Sequence, residues 1–150
     1  MAATPATPAT PAGYSGTPLW KKLGIKEGHD LALLGTPDGF AIDDLPGGVT
    51  IRRQARGPAD VIVSFHTRRG DFARRLPVLM GALAVDGGLW IAWPKRASGV
   101  ETDITEDTVR EVALPTGMVD NKVCAIDATW SGLRLVLRRE LRPGRATAAG

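Results

Sequence analysis

The sequence predicts an α/β fold: a single small Rossmann-like three-layer domain, with a mostly parallel six-stranded sheet and a C-terminal antiparallel hairpin. Three observations carry that expectation. Asp60-Val-Ile-Val-Ser-Phe65 and Gly88-Leu-Trp-Ile-Ala-Trp93 are near-continuously apolar strands joined by a helical stretch, the pattern of a parallel βαβ unit covered on both faces. Strand-like and helix-like segments alternate along the chain. Near the C-terminus, Lys122–Ile126 and Leu133–Leu137 are joined only by Asp127–Gly132, too short a connection for a parallel crossover.

The elements follow in order. Residues 2–12 repeat Ala-Thr-Pro, and residues 1–13 are expected to form a disordered, partly polyproline tail. The α/β domain is expected over 14–140, with a second disordered tail at 141–150. Thr17-Pro18 reads as a helix cap followed by proline at the first helical position, opening a short helix that ends at Gly24 with Leu19 and Leu23 on one face. Asp30–Leu34 is the first strand. Gly35-Thr-Pro-Asp-Gly39 is a turn by its proline and glycine chemistry, and Phe40–Leu45 has room for one helical turn before Pro46-Gly-Gly48. Val49–Ile51 is a short second strand.

After strand 60–65, Asp71 is the expected helix cap. Phe72, Leu76, Leu79 and Leu83 then share one helical face, with a kink expected at Pro77 and termination at Gly87-Gly88. Thr105 caps the clearest helix: Glu106 and Asp107 lie in its positive first turn, Ile104 is placed to staple onto Val109, and Gly117 stops it. By analogy with the class I methyltransferase sheet, the strands numbered along the chain take the spatial order 2-1-3-4-6-5, the last running antiparallel.

The 150 residues carry a formal charge of +3 and one cysteine. A single cysteine excludes an intramolecular disulfide and a cysteine-based metal cluster. No apolar run reaches membrane-spanning length and no signal peptide is evident, so cytoplasmic residence is the expectation. Arg52, Arg53, Arg56, Arg68, Arg69, Arg74 and Arg75 crowd the middle third, but aromatic residues do not interleave with them, which argues against nucleic acid.

Open parallel sheets collect ligands at the carboxyl ends of their strands. The ligand-binding candidates are therefore Thr36, His66, Arg68, Trp93, Lys95 and Ser98. His66 and the arginines are suited to an anion or phosphate, Lys95 to a carboxylate or phosphate. Trp90 and Trp93, three apart on a strand, face opposite sides, one towards the core and one as a crevice wall. A dinucleotide or S-adenosylmethionine site would want a glycine-rich turn after the first strand and a ribose-binding acid after the second. Here the turn carries Pro37 and wrong glycine spacing, and Arg52-Arg53 stand where the acid would. The cofactor is thus left unknown. No catalytic residue and no metal ligand is assigned. His29 after Gly28 reads as structural or exposed, Cys124 as a buried inert thiol, and Asp127 as a turn residue bonding the hairpin backbone.

Tyr14-Ser-Gly-Thr-Pro-Leu19, Lys22–Ile25, Gly88–Lys95, Thr102–Asp107 and Lys122-Val-Cys-Ala-Ile-Asp-Ala-Thr-Trp-Ser-Gly-Leu133 together resemble the small bacterial family known as domain of unknown function 3052. The resemblance spans about residues 14–139. It implies no activity, substrate or catalytic residue. The first expectation is thus a cytoplasmic module that binds a small anionic metabolite or an acidic protein partner at the sheet's carboxyl edge, without catalysis. The second is a reduced methyltransferase-like or nucleotide-using enzyme of unknown reaction. The oligomeric state is not legible.

Overall fold

The computed structural model describes residues 16–139. The Ala-Thr-Pro tail and the C-terminal tail expected from the sequence lie outside the described residues. Six strands form one sheet: β1 (Asp30–Leu34), β2 (Thr50–Arg52), β3 (Ala59–Phe65), β4 (Leu83–Pro94), β5 (Met118–Ala125) and β6 (Trp130–Leu137). Their spatial order is β2-β1-β3-β4-β6-β5. The first four are mutually parallel, and β6 runs antiparallel between β4 and β5. This is the order expected by analogy with the class I methyltransferase sheet, and the antiparallel hairpin is the one its short connection predicts.

Side chains alternate across the central strands, so each face of the sheet supports its own core. Ile62, Leu89, Ile91, Trp93, Leu133 and Leu135 pack under the helices α2 (Arg69–Ala82) and α3 (Glu106–Ala113), against Phe72, Leu76, Leu79, Val109 and Ala113. Leu31, Leu33, Val61, Val63, Phe65 and Trp90 face the other way. They are covered by the short helix α1 (Leu19–Lys22), by Leu23 and Ile25, and by Ile42, Phe40 and Leu45 of the segment joining β1 to β2. Trp90 is fully buried and donates its indole N–H to the Leu23 carbonyl at 3.0 Å, which fixes the N-terminal segment on the sheet.

Several local expectations are corrected. Residues 40–45 form no helical turn, because Pro37, Gly39, Pro46 and the two following glycines interrupt the backbone bonding while Ile42 is drawn into the core. Pro18, not Thr17, stands at the cap of α1. Arg68, not Asp71, precedes α2, and the helix runs on through Pro77, which lies on its exposed face. β4 starts at Leu83 rather than after Gly87-Gly88. Those glycines are not a stop. A Cβ on Gly87 would stand 2.8 Å from the Asp60 carbonyl, and one on Gly88 would stand 2.7 Å from Cζ of Arg134.

Thr105 caps α3 as expected, with Thr108 replying: Thr108 N donates to Thr105 Oγ1 at 3.2 Å and Thr105 N to Thr108 Oγ1 at 3.1 Å. Arg110 then bonds Glu106, Asp107 (3.3 Å) and Asp120 (3.0 Å), joining α3 to β5. Gly117, at φ 99°, ends the unit. Among the described residues no helix is long and apolar enough to cross a membrane.

Candidate functional site at the carboxyl edge of the sheet

β1, β3 and β4 end at one edge of the sheet, and all six candidates from the sequence sit there. Gly35 leaves β1 at φ +65°, and a Cβ at that position would lie 2.9 Å from the Phe65 carbonyl. Only glycine permits this left-handed step so close to β3. Thr36 follows it, half-buried.

His66 comes directly after β3 and is turned inwards. Its Nδ1 is 2.8 Å from Asp71 Oδ2 and its Nε2 is 2.7 Å from Ser64 Oγ. A carboxylate only accepts, so Nδ1 carries the proton and Nε2 accepts from the Ser64 hydroxyl. Ser64 is 2 % exposed and His66 5 %. Burial pushes the His66 imidazole below the usual histidine range. The hydrogen bond and charge of Asp71 oppose that push, and the charge of Arg75 adds to it. The ring is neutral, tilted against Phe72, with both nitrogens committed inside the protein.

Arg68 is exposed at the cap of α2. Lys95 is half-buried just beyond β4, its backbone N–H bonded to the Thr129 carbonyl at 2.8 Å. Ser98 is taken up by a one-turn 3-10 helix over Arg96–Ser98: its Oγ donates to the Lys95 carbonyl at 2.6 Å and accepts from Val100 N at 3.1 Å.

A cleft of about 520 Å³ opens between the end of β4 and the start of α3. Trp93 forms one wall; Val100 and Ile104 add apolar surface, and Arg96, Glu101 and Thr102 add polar groups. Its volume suits a small molecule. Of the six candidates only Trp93 lines it. Arg96 and Glu101 were not singled out from the sequence, where nothing marks a strand-to-helix loop residue as cleft-lining, and Thr102 stood there only beside Asp103 in a stretch read as helix capping. The loop is fastened to α2: Thr102 Oγ1 donates to the Thr67 carbonyl at 2.7 Å, and Asp103 Oδ1 accepts from Arg69 N at 2.6 Å. Asp103 thus satisfies an orphan amide of α2 from 34 residues away, the task expected of Asp71. The Ser64–His66 pair was legible only as two residues on the same strand face. Asp127 Oδ1 bonds Thr129 N and Trp130 N, each at 2.8 Å, as the hairpin chemistry predicts. Cys124 is half-buried rather than buried, and burial raises its thiol pKa, opposed by Lys22, Lys122 and Lys95.

No protein-family model matches the chain, and no curated protein matches it in sequence. Solved structures do match it in shape. An S-adenosylmethionine-dependent methyltransferase from Aquifex aeolicus superposes at TM-score 0.54 with 16% identity, over 78% of this chain and 86% of that one. TrmN from Thermus thermophilus matches at TM-score 0.56 and 13% identity, over 79% of this chain and 47% of that one. Magnesium protoporphyrin IX methyltransferase from Synechocystis PCC 6803, solved with bound S-adenosylmethionine, matches at 0.51 and 10%, over 75% and 72%. The fold is the Rossmann-like sheet of class I methyltransferases.

That finding corrects the first functional expectation, a non-catalytic module for an anion or an acidic partner. The solved structures that share the sheet are methyltransferases, the likeness in element order on which the second expectation rested. The inward commitment of His66 also removes the imidazole on which the anion site leaned.

An adenosyl cofactor meets a mixed set of residues here. Gly35 supplies a close left-handed turn after β1. The segment that follows forms no helix, so it presents no helix N-terminus. Arg52, at the end of β2, is paired with Asp30 at 3.3 Å, where a ribose would want an acid. Phe40 packs edge-on against Phe65 with ring centroids 4.9 Å apart, closing the segment onto the end of β3. The residues do not fit that cofactor in the usual manner of this fold.

Proposed function

We propose that the chain is a reduced methyltransferase-like or nucleotide-using enzyme with its site at the carboxyl edge of β1, β3 and β4. The observation that carries the reading is the sheet itself: four parallel strands in the order β2-β1-β3-β4, continued by the antiparallel hairpin. Proteins built this way include one solved with S-adenosylmethionine bound. Fold by itself hosts many activities, so the site must supply the rest. Gly35 and Thr36 line the approach from β1, Arg68 offers an exposed cation beside β3, and Lys95 and Ser98 continue the edge past β4. The cleft beside Trp93 is the place for the second substrate, its indole wall suited to a flat or aliphatic body, with Arg96 and Glu101 available to charged groups. His66 serves as a support, holding the β3 end against α2.

The quoted motifs further support membership of the family known as domain of unknown function 3052, and a bacterial setting follows from that reading; cytoplasmic residence is part of the proposal on the separate ground of the sequence pattern.

The test is calorimetric titration of the full chain with S-adenosylmethionine, S-adenosylhomocysteine and ATP. Saturable binding of at least one is expected, weakened by Thr36→Val, which keeps the size of the side chain and removes its hydroxyl. Absence of binding by all three at millimolar ligand would sink the reading.

A further inference from the structure

Trp90 and Trp93 stand on opposite faces of β4, and only one of the two indole N–H groups has a partner. Trp90 is fully buried and donates to the Leu23 carbonyl at 3.0 Å. Trp93 is 6 % exposed, yet among the described residues nothing accepts its N–H. An indole this deeply buried ordinarily finds an acceptor. Among the described residues no buried side-chain nitrogen or oxygen lacks a hydrogen-bond partner, so the unpaired nitrogen of Trp93 reaches solvent. It does so in the cleft that its ring lines.

The other polar groups of the cleft divide into committed and free. Thr102 Oγ1 donates to the Thr67 carbonyl at 2.7 Å and accepts from Ile104 N at 3.1 Å, while Thr105 Oγ1 accepts from Thr108 N at 3.2 Å. The Arg96 and Glu101 side chains are exposed and form no hydrogen bond or ion pair with any described residue. We propose that this cleft takes a small monocarboxylic acid with an apolar body. The proposal rests on the reading of the cleft as the place of the second substrate, and it names the class of that substrate.

The chemistry of the free groups selects it. An indole N–H can only donate, so the ligand atom that reaches Trp93 must be an acceptor. Arg96 also only donates, stays charged, and has a planar fork that matches a carboxylate. A single carboxylate therefore answers both groups. Val100, Ile104 and the indole face receive the apolar remainder.

Glu101 limits the charge. A dicarboxylate or a phosphate would bring a second negative charge into the space this side chain borders, and like charges so placed cost affinity. An amine would satisfy Glu101 but leave the Trp93 N–H without an acceptor. The loop between β4 and α3 is already fastened to Thr67 and Arg69, so the walls stand before a ligand arrives.

The experiment follows the indole N–H signals of the full chain by nitrogen–proton NMR during titration with phenylacetate and isovalerate. Benzylamine, malonate and inorganic phosphate serve as comparators, and Trp93→Phe assigns the Trp93 signal. Saturable movement of that signal is expected with at least one of the two acids, while the Trp90 signal, already bonded to Leu23, stays in place. Arg96→Gln should weaken the binding roughly tenfold, the loss of one charge-assisted hydrogen bond. Glu101→Gln should strengthen it and admit malonate. A Trp93 signal that neither acid moves would overturn the proposal. So would equal binding of benzylamine or phosphate, unchanged affinity in Arg96→Gln, or weaker binding in Glu101→Gln. The titrations contain no adenosyl ligand, so their outcome is separate from the binding of S-adenosylmethionine, S-adenosylhomocysteine or ATP, and either result can fail while the other stands.

Discussion

His66 Nδ1 and Asp71 Oδ2 lie 2.8 Å apart and tie the end of β3 to the first turn of α2. The pair sets a pH dependence. The folded His66 pKa lies below its unfolded value, so the native state resists protonation that the unfolded chain accepts. The stability this group contributes is complete above the unfolded value of about 6.5 and is lost as pH falls from there through the folded pKa. Asp71 opposes the downward shift, so Asp71→Asn should lower the His66 midpoint further, read by NMR titration of the ring protons. It should also cost about 1 kcal/mol at neutral pH, the carboxylate being half exposed. A midpoint that rises in the variant contradicts the arrangement.

Gly35 and Gly39 provide an internal comparison. Both have positive φ, +65° and +78°, but only Gly35 has a neighbour, the Phe65 carbonyl, in the space of a Cβ. Gly39→Ala should cost about 1 kcal/mol for the left-handed backbone alone. Gly35→Ala should cost about 2–3 kcal/mol, since a backbone atom cannot retreat as a side chain can. Urea midpoints of the two variants measure the difference, and equal costs would mean that the approach to β3 relaxes freely.

The strands, the α/β class and the antiparallel hairpin were readable from local quantities, namely apolar runs, their alternation and the length of the last connection, whereas the order of the sheet came by analogy with a known one. Thr105 and Asp127 were readable for the same reason, since their partners lie within three residues. The failures share the opposite cause. Gly87-Gly88 resembles a terminator in sequence, yet its reason is the Asp60 carbonyl and the Arg134 guanidinium, remote along the chain. Asp103 caps a helix that starts 34 residues earlier. His66 has the composition of an anion site, but its ring turns inwards because Ser64 and Asp71 happen to stand at its two nitrogens.

Asp103 gives a prediction about the cleft. Asp103→Ala removes the acceptor of Arg69 N and one of the fastenings of the loop that bears Glu101 and Thr102. A lost cap costs about 1 kcal/mol. Hydrogen exchange should accelerate at Arg69 and through residues 99–105 while the β3 amides keep their protection. Acceleration spread evenly over the domain would instead mark a general loss of stability and remove the specific role.

Phe40 connects fold to function. Its ring packs edge-on at 4.9 Å against Phe65, which in turn meets Trp130 edge-on at 5.1 Å, so three aromatic rings form an edge-to-face chain from the β1–β2 segment to the hairpin. Phe40→Ala removes one aromatic pair and part of the cover of β3, at a cost of about 2 kcal/mol. Under the proposed function the same change clears the entrance at the carboxyl edge. An adenine-containing ligand would no longer have to displace the ring, and its affinity should rise although the protein is less stable. Titration of both proteins with the same ligand, at a temperature where each remains folded, separates the two effects. Affinity that falls together with stability would show Phe40 to be part of the site's floor, and the ligand would then have to enter from the Trp93 side.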